Sequence, residues 1–355
     1  MNTPALGAIP SPRDYRDDYV VGAMAGITPD VKLPASFSTA LPGEVLDQKQ
    51  TPSCVSQAWV VVMKLWWFLK TGEVVDFSPR FLDTLAKRFD GLAAEPYRST
   101  AGTFPRLVCK LSGQYGCATT KTVSNDTTLP ISKYRDDAIL TQAAFDEAKK
   151  YKTPGYVRIG TDKGSLRLAT FLYGGVSLLM QIGNEWWTPS WRAKDIDPLR
   201  TPAVVVSGHE IVHKGWQDDV LDFILNSWSK AWNTGGEGRF NAGLWRPWMI
   251  EAWAIAQIPK DVADFLKTLP APSAFQYHFE KDVHRGDESE EVKFVQIALM
   301  ILGYLAPIPA GELGIYGGKT ATAVEKFQRA HGIKWPSAND VGTQTRGQLN
   351  SIFWR

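Results

Sequence analysis

Apolar positions recur at helical spacing in the first third of the chain. Val55, Trp59, Val62 and Trp66 follow one another at intervals of three or four and share one face of a helix, which Gly72 stops. The pattern predicts a second helix over 77–89, with Ser78 as its N-cap and Pro79 at the first helical position. A third is expected around 104–111. Beyond Asp146 the period changes. Short β-branched runs at 155–159, 176–181, 204–206 and 221–225 are each bounded by Gly, Pro, Asn or Asp. Helices first and strands later predict an α+β domain of two segregated halves, and a cleft between such halves is a common place for a substrate.

The remaining segments differ in texture. Residues 1–33 are rich in Pro, Asp and Arg and read as an extended arm. Such an arm can plug a cleft, but its composition favours simple packing on the back of the molecule. The core of the first domain is expected over 34–258, followed by a linker over 259–281 that contains TLPAPSAF. Residues 282–355 hold three helical segments, 289–302, 319–331 and 343–353, separated by Gly-rich turns. That small domain carries 8 Lys/Arg against 8 Asp/Glu, so whatever it binds it does not bind by bulk charge.

Composition narrows the function. A 355-residue chain with 44% hydrophobic and 21% charged residues is an ordinary globular protein of two or three domains. A net charge of +2 gives no reason to expect nucleic acid. No apolar window approaches the length of a membrane span, because Lys64 interrupts the most apolar helix. The N-terminal MNTPALGAIPSPRDYRDD has neither a basic start nor an apolar core, so no secretory signal is expected. Three cysteines are too few and too odd in number for a disulfide framework; Cys109 and Cys117 read as buried thiols. Most of the fourteen tryptophans read as core filling.

Candidate chemistry centres on Cys54. It follows a Pro-Ser turn and opens a buried helix, where free backbone N–H groups and the positive dipole end favour a thiolate. Gln48, six residues upstream, offers a side-chain amide as a second donor beside the sulfur. A base is then needed. The segment VVVSGHEIVHKGW supplies His209 and His213 and also matches H-E-x-x-H, in which two histidines one helical turn apart bind zinc. The flanking valines and glycines favour a strand. There, positions four apart are separated by about 13 Å, too far to share one ion. On that strand His209 faces a cleft. Asn226, seventeen residues further on, can fix its ring by accepting from one imidazole nitrogen, and Trp228 can shield that bond.

The set Gln48, Cys54, His209 and Asn226-Ser227-Trp228 resembles the papain-like cysteine peptidase family over about residues 34–258. The six-residue gap from Gln48 to Cys54 and Gly215-Trp216 after His209 belong to the same resemblance, as do SPRFLDTLAKRFDG and GQYG. Three positions depart from the family. The family's Cys-Gly-Ser-Cys-Trp is here Pro52-Ser53-Cys54-Val55-Ser56, so the cysteine preceding the nucleophile is absent; Glu210 stands where a small apolar residue is usual; Ser229 replaces a Gly. The resemblance implies a resting thiolate–imidazolium pair of Cys54 and His209, oriented by Asn226. It implies an oxyanion hole from the Cys54 N–H and Gln48, and substrate backbone pairing at Gly102 and Gly208. No metal or cofactor is implied. Taken singly, Cys54 reads first as an inert buried thiol and His209 as a hydrogen-bonded core residue; four roles in the right order reverse that.

The C-terminal segment resembles the type 1 peptidoglycan-binding domain. Its marks are Val292, Gln296, Leu299, Leu302, Gly303 and Tyr304, then Gly314, Gly317, Thr320, Ala323, Val324, Phe327 and Gln328, then Val341, Gly342 and Thr345. Most of these lie on core-facing helix stripes and are poor candidates for ligand contact. Leu313 replaces a common Asp. Together the two resemblances imply a monomeric, cell-wall-directed cysteine peptidase that cuts peptidoglycan stems or cross-links. It would be made in the cytoplasm and act at the wall, as a phage endolysin or a lysis-released enzyme does. The alternatives are a wall-anchored protease acting on proteins, an inactive wall-binding scaffold and a zinc peptidase using His209-Glu210-x-x-His213.

Overall fold

The structure, a computed structural model, describes residues 6–17, 31–183, 205–241, 248–257, 264, 267–270, 272–333 and 339–354. The chain forms two compact units. The first comprises Met1–Pro12 and Pro29–Ile258, and the second Arg13–Thr28 and Pro259–Arg355.

In the first unit β1 (Ser36–Ser38) precedes the central helix α1 (Cys54–Thr71), then α2 (Pro79–Phe89), α3 (Pro105–Gln114) and α4 (Gln142–Ala148). The cap chemistry read from the sequence is present. The Ser78 side chain accepts from the Phe81 N–H at the start of α2, and Gly72 closes α1 in the left-handed conformation at φ 75°. The second half holds β2 (Tyr156–Ile159), α5 (Lys163–Tyr173), β3 (Val176–Gly183), β4 (Val205–Gln217), β5 (Leu221–Leu225), β6 (Glu237–Asn241) and β7 (Met249–Ile255). These strands form an antiparallel sheet in the order β2-β7-β3-β4-β5-β6, with β1 paired to β4. One apolar cluster joins the halves: Val55, Trp59 and Val62 of α1 pack with Leu179, Val212, Trp253 and Ile255 of the sheet. Burying α1 on nearly every side explains why its apolar face is so broad. No helix among the described residues is long and apolar enough to cross a membrane.

The valine run and the histidine segment, read from the sequence as one strand, form the 13-residue β4. Residue 204 itself lies outside the described residues.

The second unit is built on α6 (Glu290–Ile301), α7 (Gly318–Ala330) and α8 (Thr343–Phe353). Val292, Val295, Leu299, Ala323, Val324 and Phe327 are buried, as the helix stripes require. Two glutamines wire its loops. Gln296 Nε2 donates to Ile315 O at 2.8 Å and Thr320 Oγ1 at 2.9 Å, while its Oε1 accepts from Gly314 N–H at 2.7 Å. Gln328 Nε2 donates to Asp340 O at 2.7 Å and Thr345 Oγ1 at 3.0 Å. Part of the segment read as a linker belongs to this core: Leu269, Phe275 and Phe279 are buried in it. Tyr15 of the N-terminal arm is buried there too and donates to Pro270 O at 2.8 Å.

Candidate active site

Cys54 is the first residue of α1 and is fully buried. The turn that delivers it is held by Arg135. Its guanidinium pairs with Asp83 at 2.7 Å and donates to Pro52 O at 3.0 Å and Ala101 O at 2.8 Å, all away from water. One buried cation therefore fixes both the turn before Cys54 and the loop that carries Gly102. Lys87, ion-paired with Asp90 at 2.8 Å, donates to Gly102 O at 3.1 Å. A lone Arg and Lys carry no sequence mark, so neither residue was legible beforehand.

Across the unit, His209 Nε2 donates to Asn226 Oδ1 at 2.8 Å, and the Trp228 ring stacks on the imidazole with centroids 4.6 Å apart. Asn226 Oδ1 also accepts from Ser227 N–H at 2.8 Å, which pins the amide. The backbone of Glu210, the residue after His209, stands near enough to the Cys54 thiol to pull its pKa down. Cys54, His209, Asn226 and Trp228 thus lie in one region. Gln48 is buried beside them. Its Oε1 accepts from Ser227 Oγ at 2.6 Å and its Nε2 donates to Thr51 O at 3.1 Å, so Gln48 ties the loop before α1 to the loop after β5.

The H-E-x-x-H segment lies on β4, so its histidines cannot present themselves as neighbours on a helix turn. They also serve different networks. His213 Nδ1 lies 2.6 Å from Thr170 Oγ1 and its Nε2 3.5 Å from Asp222, apart from the His209–Asn226 pair. This overturns the zinc-peptidase alternative.

The arm does not pack on the back. Thr103 N–H donates to Gly7 O at 2.9 Å, Ile9 N–H to Thr103 O at 3.0 Å and Ala8 N–H to Gly208 O at 3.4 Å. The Gly7 backbone also stands near enough to the Cys54 thiol to pull its pKa down. Further along, Ser11 N–H donates to Glu251 Oε1 at 2.8 Å. Residues 7–11 thus cross the cleft, directly on the thiol. Gly102 and Gly208 are where they enter. A β-carbon on Gly102 would lie 1.1 Å from Gly7 O, and one on Gly208 2.5 Å from Ala8 O. Small residues with no apolar pattern are what fit such a slot, which is why composition misplaced the arm.

The arm also changes the charge state expected from the resemblance. Burial pushes the Cys54 thiol up to about 12, against the pull of the Glu210 and Gly7 backbone. Burial lowers His209 to about 4, opposed by its bond to Asn226. In this arm-occupied form the pair is a neutral thiol and a neutral imidazole, because water that would solvate the charges is excluded.

Residues 288–349 match the family model described as a putative peptidoglycan binding domain. No curated protein sequence matches the chain. Among solved structures, xylellain, a cysteine protease from Xylella fastidiosa, is similar with a TM-score of 0.59 and 18% identity, over 73% of this chain and 99% of that one. Digestive procathepsin L 3 from the Tenebrio molitor larval midgut is similar with a TM-score of 0.51 and 17% identity, over 64% of this chain and 71% of that one. Procathepsin B from Trypanosoma congolense gives 0.50 and 13%, over 64% and 78%. The first unit therefore has the papain-like cysteine protease fold, followed by a domain of peptidoglycan-binding type.

Proposed function

We propose that the chain is a cell-wall-directed cysteine peptidase that hydrolyses peptide bonds of peptidoglycan stems or cross-links. The observation that carries the reading is the His209–Asn226 bond under Trp228, near a thiol at a helix start whose pKa the backbone of the residue after His209 pulls down. The order of roles is that of a thiol protease, and the wall-binding module gives the enzyme a reason to be at the wall.

Catalysis begins when residues 7–11 leave the cleft and water re-enters. With desolvation relieved, the Cys54 proton passes to His209. The thiolate attacks the substrate carbonyl, and the Cys54 N–H and the Gln48 amide hold the oxyanion. For that role the Gln48 amide must turn from Thr51 O. His209 then protonates the leaving amine, and water, deprotonated by His209, hydrolyses the thioester. Asn226 keeps the imidazole in plane throughout. Gly208, now bonded to the arm, and Gly102, now packed against Gly7, meet the substrate backbone in its place. The enzyme works at the bacterial wall as endolysins do.

Purified cell walls incubated with the wild-type chain should lose turbidity, and Cys54→Ala should not clear them. Clearing by Cys54→Ala, or casein hydrolysis without any wall clearing, would replace this reading with a scaffold or a protein-directed protease.

A further inference from the structure

Glu210 has no part in the chemistry above, yet it is fully buried one residue from His209. Its Oε1 accepts from Ser177 Oγ at 2.7 Å, while its Oε2 has no hydrogen-bond partner among the described residues. Strand register tells which way it points. The side-chain direction of Gly208 meets Ala8 O and Leu179 Cδ1, and Glu210, two residues along β4, shares that face. Leu179 pairs with Glu210 on one side and with Glu251 on the other, so both carboxylates stand on the face that the arm crosses. Glu251 takes the arm's Ser11 N–H. The arm brings no charge to this face between Ala8 and Ser11, and Glu210 Oε2 goes unmet.

The electrostatics agree. Burial raises the Glu210 carboxyl well above its usual range, and Glu251 adds to that effect. Glu251 is itself raised by burial, opposed by Ser11 and by the field of Arg158. Burial thus favours the protonated form at this face while no cation is present.

We propose that Glu210 and Glu251 form a pocket beside the Cys54 sulfur that takes the primary ammonium group of a substrate side chain, that of lysine or another diamino acid. This rests on the peptidase reading above and sharpens it. When a peptide replaces the arm, its ammonium donates to Glu210 Oε2 and to the Glu251 oxygen that Ser11 vacates. The proton held by the carboxylates leaves to solvent. Stem peptides that carry a diamino acid offer this group, and neutral or acidic side chains do not.

The test uses the full chain and matched peptidyl chloromethyl ketones. Each pair differs only in lysine against norleucine, placed one, two or three residues before the electrophile. Inactivation rates are measured with mass-spectrometric confirmation of Cys54 as the modified residue. At one placement lysine should react faster by at least about tenfold, the worth of a charge-assisted hydrogen bond. In Glu210→Gln, and separately in Glu251→Gln, that ratio should fall toward one. The ratio is the readout because a loosened fold or a duller thiol slows both reagents alike. Equal rates at every placement, or a ratio untouched by Glu210→Gln, would overturn the pocket alone. Reaction with iodoacetamide but with no peptidyl reagent would remove the peptide cleft itself, and the pocket with it.

Discussion

Replacing Gly102 with Ala should expel the arm and expose the nucleophile. The added β-carbon would sit 1.1 Å from Gly7 O, a distance no relaxation of side chains can relieve, because the obstacle is backbone. Residue 7 must then withdraw, and the Thr103–Gly7, Ile9–Thr103 and Ala8–Gly208 bonds go with it. At a net worth near 1 kcal/mol per bond, the docked state loses about 3 kcal/mol. Since 1.4 kcal/mol is a factor of ten, the open fraction rises by about a hundredfold. Alkylation of Cys54 through a rapidly opening cleft scales with that fraction, so its rate with iodoacetamide should rise by the same factor. Cys109 and Cys117, both buried elsewhere in the first unit, are internal controls that should stay unmodified on this timescale. The variant's Cys54 reacting within about threefold of wild type, with thermal unfolding unchanged, would refute the claim that the arm's fit against Gly102 governs access. Modification of all three cysteines together would show general loosening instead.

Acid should destabilise the first unit through His209. Its folded value lies near 4 against 6.5 for the ordinary group, so between those pH values the unfolded chain takes a proton that the folded chain refuses. Stability from this group is intact above about 6.5 and falls by about 3 kcal/mol as pH drops to 4. Glu210, raised instead, acts in the opposite sense, so urea midpoints of wild type and His209→Gln should be compared pH by pH; parallel curves would exclude the effect. Arg135→Met strands the Asp83 carboxylate and releases Pro52 O and Ala101 O, and should cost about 3–5 kcal/mol in urea unfolding. A loss below about 1 kcal/mol would mean that the turn before Cys54 does not depend on it. Gln296→Ala leaves the Gly314 N–H and the Ile315 carbonyl without their partner, and should destabilise the second unit by about 2–4 kcal/mol. Amide exchange at Gly314 no faster than in wild type would contradict that.

The helical half was legible because its signals are local. The apolar stripe of α1, the Ser78 cap and the Gly72 stop each act within a few residues, and they place Cys54 at a helix start. The partnership of His209 and Asn226 was legible because His209 lies on β4 and Asn226 directly follows β5, its neighbour in the hairpin. What could not be read depends on distant backbone. The arm's seat between Thr103 and Gly208 is made of main-chain bonds to Gly7, Ala8 and Ile9, and such bonds leave no trace in side-chain pattern. The length of β4 was legible through its flanking valines and glycines, although Glu210, His213 and Lys214 interrupt the apolar pattern and are buried because they have partners. The protonation state followed the arm: an expectation of ion pairing assumes an open, wet cleft, and this one is filled.

The paired glutamines of the second unit bear on how that unit meets a ligand. Loops are ordinarily the parts of a small domain that must be immobilised on binding, at an entropic expense. Here the 312–316 and 339–341 turns are pinned from within by amides rooted in α6 and α7. These turns are therefore set by the fold itself, and no partner is needed to order them.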